Sequence, residues 1–312
     1  MKIFWSWIAF FIIIFISQIA ISHFITEPWG ARTLSETLDK GYDVLYFGDS
    51  TVGASADTDT DKAPISEMLA RLKPKLSIID LSRSSNHLGL YEAMIEQIVR
   101  SGKKPAVIIP INMRSFSPWY DKRPEFQFEK EIFYMTAPSP LVACFYKPLA
   151  VFRAIDDNAV TFSEFYQTPV YRGKKQVGIV ADFNDTVLAT TTPENIKTSF
   201  MLGYMFNLEP NHRKLDSLRN IIDQADRSGF KVYFYITPIN HEQGEKFYGE
   251  EFKEQMKKNT DTICAILKEK NHPCANLAFS IDSSYFQSPV LPSEHLNQKG
   301  KMFVAEEVAK ML

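Results

Sequence analysis

Five short apolar runs, each followed or preceded by an amphipathic stretch, set the narrowest limit on the fold. They are Val44 to Phe47, Leu76 to Leu81, Ala106 to Ile111, Lys231 to Ile236 and Ala275 to Phe279. Runs this short that are apolar on both alternating positions predict strands buried on two faces. Between them, Ser66 to Leu72, Tyr91 to Ser101, Arg213 to Arg227, Glu251 to Lys268 and Lys299 to Leu312 carry apolar residues at helical spacing. Strand, helix, strand, helix implies an α/β domain with a parallel sheet, right-handed crossovers and helices on both sheet faces. Ligands of such sheets sit at the carboxyl ends of the strands. Side chains just after each run are therefore the ones to inspect.

The N-terminus obeys a different rule. Ile3 to Ile21 reads IFWSWIAFFIIIFISQIAI without a charge, about the length of helix that crosses a bilayer core. A membrane anchor over residues 1–26 is expected, with the α/β domain from 27 to 312 on the extracytoplasmic side. Lys2 is the only charge before the run and gives a weak cytoplasmic bias to the N-terminus. The small pair Ala20 and Ser22 would also suit a cleaved leader. A third departure from the alternation lies between about 117 and 210. Aromatics, prolines and apolar stretches such as Pro140 to Phe152 occur there without a clear period, which predicts a mostly helical insertion that caps the site, docks near the membrane or adds a layer.

Composition narrows the partners. With 312 residues, 45% hydrophobic and 23% charged, the chain can bury a full core. Its formal net charge of −2, with acids and bases interspersed, gives no reason to expect nucleic acid. Cys144, Cys264 and Cys274 form no Cys-x-x-Cys pair. Cys264 and Cys274 suit either a disulfide or free thiols, and no metal site follows. Asp57, Asp59 and Asp61 alternate like a calcium loop, but Lys62 stands where such a loop needs glycine. A helix-capping loop is the better account. No cofactor motif is present.

The chemistry gathers at three strand ends. LYFGDSTVG, residues 45 to 53, runs from a strand straight into Gly48, Asp49 and Ser50. A serine nucleophile needs a base and donors for the oxyanion. His295, in PSEHLNQKG before the last helix, is the candidate base, and Asn112 after the third strand is a candidate amide donor. Arg114, two residues on, is a candidate for an anionic substrate group or for an ion pair. His241 follows the fourth strand and suits either the cleft wall or the surface.

These blocks resemble the SGNH hydrolases, also called GDSL-type esterases and lipases. Gly48-Asp49-Ser50 is similar to the family's first block, Asn112 to its third-block asparagine, and His295-Leu296-Asn297 with Gly300 to its last block. The resemblance spans the framework from about Asp43 to the C-terminus, outside the insertion. It implies a flavodoxin-like three-layer sandwich and acyl transfer to water or another hydroxyl, with Ser50 as nucleophile and its amide as an oxyanion donor. Two positions depart from the pattern. Where the family has a glycine whose amide joins the oxyanion hole, this chain has Ser85. A backbone N–H donates without glycine if the backbone keeps the required conformation. The family's acid lies three residues before the histidine, and Pro292 stands there. Glu294 is the candidate acid, although neighbouring side chains of an extended loop face opposite ways; Asp282 is more distant. A triad and a Ser–His dyad supported by a backbone carbonyl are both compatible with the sequence.

The anchor, the serine centre and the insertion together suggest work on acyl groups of a cell-envelope glycan or polymer, in the manner of SGNH-like proteins that cooperate with membrane-bound acyltransferases. An esterase for small or lipid esters is the alternative within enzymes. A catalytically idle binding or scaffold module is the alternative outside them.

Overall fold

The computed structural model describes residues 2–24, 29–136, 160–183 and 191–312. Seven strands follow in chain order: β1 (Val44–Tyr46), β2 (Ile78–Asp80), β3 (Ala106–Ile111), β4 (Pro169–Arg172), β5 (Lys175–Ile179), β6 (Val232–Ile236) and β7 (Ala275–Asn276). Five of them form one parallel sheet in the order β2-β1-β3-β6-β7. All five predicted strands are present, β3 with the predicted bounds and the other four trimmed.

Alternation of side chains across the sheet divides the interior in two. Leu45, Phe47, Val107 and Ile109 face one cluster, built from helices Trp29–Lys40, Leu88–Ser101, Arg213–Ser228 and Glu250–Glu269. Val44, Tyr46 and Ile108 face the other, against helices Ile65–Leu72 and Gln298–Ala309. This is the three-layer arrangement the alternating pattern requires. Tyr46 and Tyr235, both fully buried, satisfy one another through their hydroxyls at 2.8 Å, so neither polar tip is left unpaired in the core.

The strand order reverses at β1 and β3. From β1 the chain moves outward to β2 and then crosses back to β3. The crevice outside the carboxyl ends of these two central strands is the topological switch point. Ser50 follows β1, and Asn112 follows β3.

Helical turns, α and 3-10 together, make up just over half of the described part of the insertion. Short helices at Pro118–Asp121, Glu129–Thr136, Phe162–Tyr166 and Pro193–Tyr204 share it with an antiparallel ribbon, β4 with β5. Of those strand residues only Val170 is buried in the small cluster with Trp119, Phe165 and Leu202, which is why the period was not readable. Pro140 to Phe152 and Cys144 lie outside the described residues. Cys264 and Cys274 form a disulfide with Cα atoms 5.3 Å apart, tying the end of helix Glu250–Glu269 to the start of β7.

The N-terminal run is helical over Lys2–Phe24. Large side chains along it are exposed: Trp5 is 63% exposed and Phe11 62%. Among the described residues no helix is long and apolar enough to cross a membrane, so the span expected over Ile3 to Ile21 is not shown.

Candidate active site

Gly48 ends β1 because nothing larger fits. A Cβ there would lie 2.2 Å from Val52 Cγ2 and 3.1 Å from Ser82 Cβ. Asp49 then caps the short helix Ser50–Gly53, accepting from the Thr51 amide at 2.8 Å. This sharp exit from the strand leaves the Ser50 side chain at the rim. Its Oγ lies 2.9 Å from Nε2 of His295.

His295 is carried by a stapled loop. Gln287 donates its amide to the His295 carbonyl at 2.9 Å, the Asn297 amide donates to Tyr285 O at 3.0 Å, and Phe286 and Leu296 form an antiparallel bridge. Asn297 caps the last helix by accepting from the amides of Lys299 and Gly300. Gly300 is needed for this close approach, since a Cβ there would stand 2.4 Å from the Tyr285 carbonyl oxygen. The sequence HLNQKG is thus a base, a cap and a contact glycine in succession. Burial, reinforced by Arg114, lowers the pKa of His295 below its ordinary value. The ring is therefore neutral near pH 7 and able to accept a proton.

Glu294 does not orient that ring. It is fully buried, accepting from the Tyr204 hydroxyl at 3.0 Å, the Thr237 hydroxyl at 3.1 Å and, at 3.4 Å, the Arg114 amide. Successive side chains on the extended loop face opposite sides, so the His295 ring looks outward and Glu294 looks into the core. No described residue hydrogen-bonds His295 Nδ1. Asp282 is no substitute, because it caps the turn Ser283–Tyr285 through Ser284. The arrangement is a Ser–His pair. Glu294 instead pins the loop to helix Pro193–Tyr204 of the insertion, and desolvation, only partly offset by Arg114, raises its pKa to about 7.

Three donors face the same small space. Ser85 occupies the third position of a tight turn in which the Asn86 amide donates to Arg83 O at 3.1 Å, while the Arg83 amide donates to Gly48 O at 3.1 Å. Its φ is +67°, the left-handed conformation that such a turn requires and glycine usually supplies. The backbone geometry has survived the change of residue. Neither the Ser85 nor the Ser50 amide has a protein acceptor among the described residues. Asn112 accepts from the Arg114 amide at 2.9 Å and donates one Nδ2 hydrogen to Asp49 Oδ2 at 2.8 Å. Asp49 therefore fixes the direction of the amide, leaving the second hydrogen free. That role was not legible in the sequence, where Asp49 reads as a turn residue.

The cavity enclosed by these groups has a volume of about 200 Å³. Ser50, Ser85, Asn112, Arg114 and His295 all line it, joined by Asn86, His87 and Lys214, which sequence reasoning missed. Tyr120 and Phe126 are its large aromatic walls. Arg114 lies with its guanidinium 5.0 Å over the Tyr120 ring and donates to Pro292 O at 3.3 Å, so it also braces the loop of His295. His241 is not on the wall; it pairs with Glu245 at 3.0 Å. The acidic loop does not cap the next helix, Ile65–Leu72, which starts without a side-chain cap; Asp59 accepts from the amides of Ala56 and Gln298, the latter opening the last helix, and Asp61 from that of Ala63. Among the described residues no cluster of His, Cys, Asp and Glu is arranged to hold a metal.

No protein-family model and no curated protein matches the chain. Solved structures to which it is similar include a lipase/acylhydrolase from Enterococcus faecalis, at 10% identity and a TM-score of 0.38 over 86% of this chain and 93% of that one. A catalytic mutant of Axe2, an acetylxylan esterase from Geobacillus stearothermophilus, aligns at 13% identity and 0.40 over 86% and 93%. LAE5, an alpha/beta hydrolase enzyme from the metagenome of Lake Arreo, aligns at 11% and 0.41 over 86% and 94%. Likeness at this level assigns no residue its role. The roles rest on the geometry of an α/β sheet that carries a Ser–His pair at its carboxyl edge.

Proposed function

We propose that this protein is a serine esterase or acyltransferase, working on short acyl groups of hydrophilic, envelope-borne polymers and held at the outer side of a membrane by its N-terminal helix. The observation that carries the chemistry is the 2.9 Å contact between Ser50 Oγ and His295 Nε2. Neutral His295 takes the serine proton as Oγ attacks the ester carbonyl. The oxyanion faces the amides of Ser50 and Ser85 and the free hydrogen of Asn112 Nδ2. Protonated His295 then delivers the proton to the departing alkoxide, and water or a second hydroxyl takes the acyl group by the reverse steps.

The cavity's small volume, about 200 Å³, supports a small acyl group over a long-chain lipid ester. Location is supported by two features. The helix Lys2–Phe24 exposes large apolar side chains such as Ile3, Phe4 and Ile13, which water does not favour. The Cys264–Cys274 disulfide suits an oxidising compartment. A membrane-bound acyltransferase is the partner such a layout would serve.

One observation favours a second reading, a binding module without turnover: among the described residues no acid reaches His295 Nδ1. Labelling by a fluorophosphonate probe decides between the two. Labelling that Ser50→Ala abolishes supports catalysis, and a folded protein that never labels supports the binding module. Acetate release from isolated envelope glycans, set against release from aryl and lipid esters, tests the substrate class.

A further inference from the structure

We propose that the cavity beside Ser50 binds an anionic oxygen group, a carboxylate or a phosphate, carried by the acyl acceptor close to its ester. The term acyl acceptor rests on the esterase reading; the binding of the anion does not.

Hydrolysis of a neutral ester needs Ser50, His295 and the oxyanion donors. The remaining wall is made for something else. Two long helices begin at it: Leu88–Ser101, capped by His87, and Arg213–Ser228, whose second residue is Lys214. Each brings partial positive charge at its N-terminus. Two cations, Arg114 and Lys214, are added to them.

Lys214 is held where a cation is least at home. It is 3% exposed, it lies in the first turn of a helix, and Arg213 is its neighbour. Burial brings its pKa down to about 8 in spite of Asp121. That single carboxylate, 3.2 Å from Lys214 Nζ, is shared with Arg213 at 3.0 Å. The one acid on the cavity wall is Asp49, and its oxygens are already engaged by Thr51 and Asn112. Lys214 Nζ also donates to the Ser115 carbonyl, which carries no full charge, so an arriving anion would add a second carboxylate-like partner and relieve the excess of positive charge.

Unpaired donors point the same way. Asn86 is 3% exposed, and among the described residues its Nδ2 has no acceptor and Arg114 Nε has none either. His87 accepts from the Gly89 amide at 3.1 Å through Nδ1, so the neutral ring carries its hydrogen on Nε2. That hydrogen lies toward the Phe126 carbonyl without closing a hydrogen bond of normal geometry. Buried donors left open favour a ligand that only accepts, which describes a carboxylate or a phosphate.

Calorimetry on the full-length Ser50→Ala protein, which cannot turn over an ester, tests the binding directly. Glucuronate and glycerol phosphate are titrated beside glucose and glycerol. The expected result is affinity at least about tenfold higher for one of the anions than for its neutral counterpart, lost when Lys214→Gln is added. Asn86→Ala is the second variant, expected to weaken the anion by about threefold and to serve should Lys214→Gln fail to fold. The tighter anion identifies the source, a uronic acid or a polyol phosphate. Equal affinity for charged and neutral ligands, no binding of either anion up to about 50 mM, or a charge preference that persists in both variants overturns the proposal. Fluorophosphonate labelling of the unaltered protein is run in parallel. Labelling without charge preference removes the anion site alone, and charge preference without labelling removes the esterase alone.

Discussion

Ser50 Oγ and His295 Nε2 meet at 2.9 Å across a sequence separation of 245 residues. The first prediction follows from that contact. Ser50→Ala is expected to abolish labelling by a fluorophosphonate and turnover of p-nitrophenyl acetate, and His295→Ala to lower kcat/KM by about 10³-fold or more. Unfolding temperatures should stay close to that of the parent, because both side chains sit at the rim. Retained turnover in Ser50→Ala would place the chemistry elsewhere.

The imidazole accepts a proton only when neutral. Its folded-state pKa is lowered from the ordinary 6.5, by burial first and then by Arg114. Activity should therefore rise with pH to a midpoint below that value and stay level through about pH 7.5. A profile of kcat/KM for a neutral aryl acetate checks this. A midpoint above 7 would mean that a nearby carboxylate controls the ring after all.

Glu294 makes a prediction about stability. Its folded value of about 7 stands above the ordinary 4.5, chiefly through desolvation. The native state then holds a proton that the unfolded chain releases, so stability present below about pH 4.5 is lost as pH rises through about 7. Glu294→Gln removes this slope, worth on the order of 3 kcal/mol. Thermal unfolding of both proteins between those pH values is the measurement, and parallel curves would refute the assignment. Glu294→Ala is expected to behave differently, costing about 3 kcal/mol and much of the activity, because Tyr204, Thr237 and the Arg114 amide lose their acceptor.

Ser85 holds a φ of +67°. Ser85→Gly should leave labelling intact and stabilise the fold by up to about 1 kcal/mol, whereas Ser85→Val should cost about 1–2 kcal/mol and slow labelling. Denaturant unfolding of the two variants provides the comparison. A Val variant as stable and as reactive as the parent would show that the turn does not shape the oxyanion site.

The Cys264–Cys274 bond closes a loop across 10 residues. Its reduction, or the Cys264→Ser/Cys274→Ser pair, should cost about 2–3 kcal/mol of stability. The change should leave labelling of Ser50 nearly unaltered, since the bond ties β7 to its helix at the edge strand away from β1 and β3. Melting with and without reductant tests both parts.

Much of the frame was written in the order of residues. The runs gave parallel strands because the central strands β1, β3 and β6, buried on both faces, are apolar almost throughout, a pattern that needs no partner to be read. Gly48-Asp49-Ser50, Asn112 and His295 were legible for a related reason: each directly follows such a run or precedes the last helix, and topology places those points along one edge. The helix Trp29–Lys40 was missed because its core face consists of Gly30, Leu34, Thr37 and Leu38, only two of which are large and apolar. The ribbon of β4 and β5 was missed because most of its side chains are exposed.

Sequence by itself determined the alternating frame, the strand-end serine and the histidine before the last helix, because these depend on local period and on the fixed hand of strand connections. Tertiary structure decided what the pair works with. It turned Glu294 inward to Tyr204 and Thr237, kept the glycine-like backbone of Ser85 through contacts with Gly48, and brought Lys214 from a distant helix to the cavity wall. Such outcomes depend on which side of a loop faces the core and on contacts between segments far apart in the chain, and no periodicity in one segment records them.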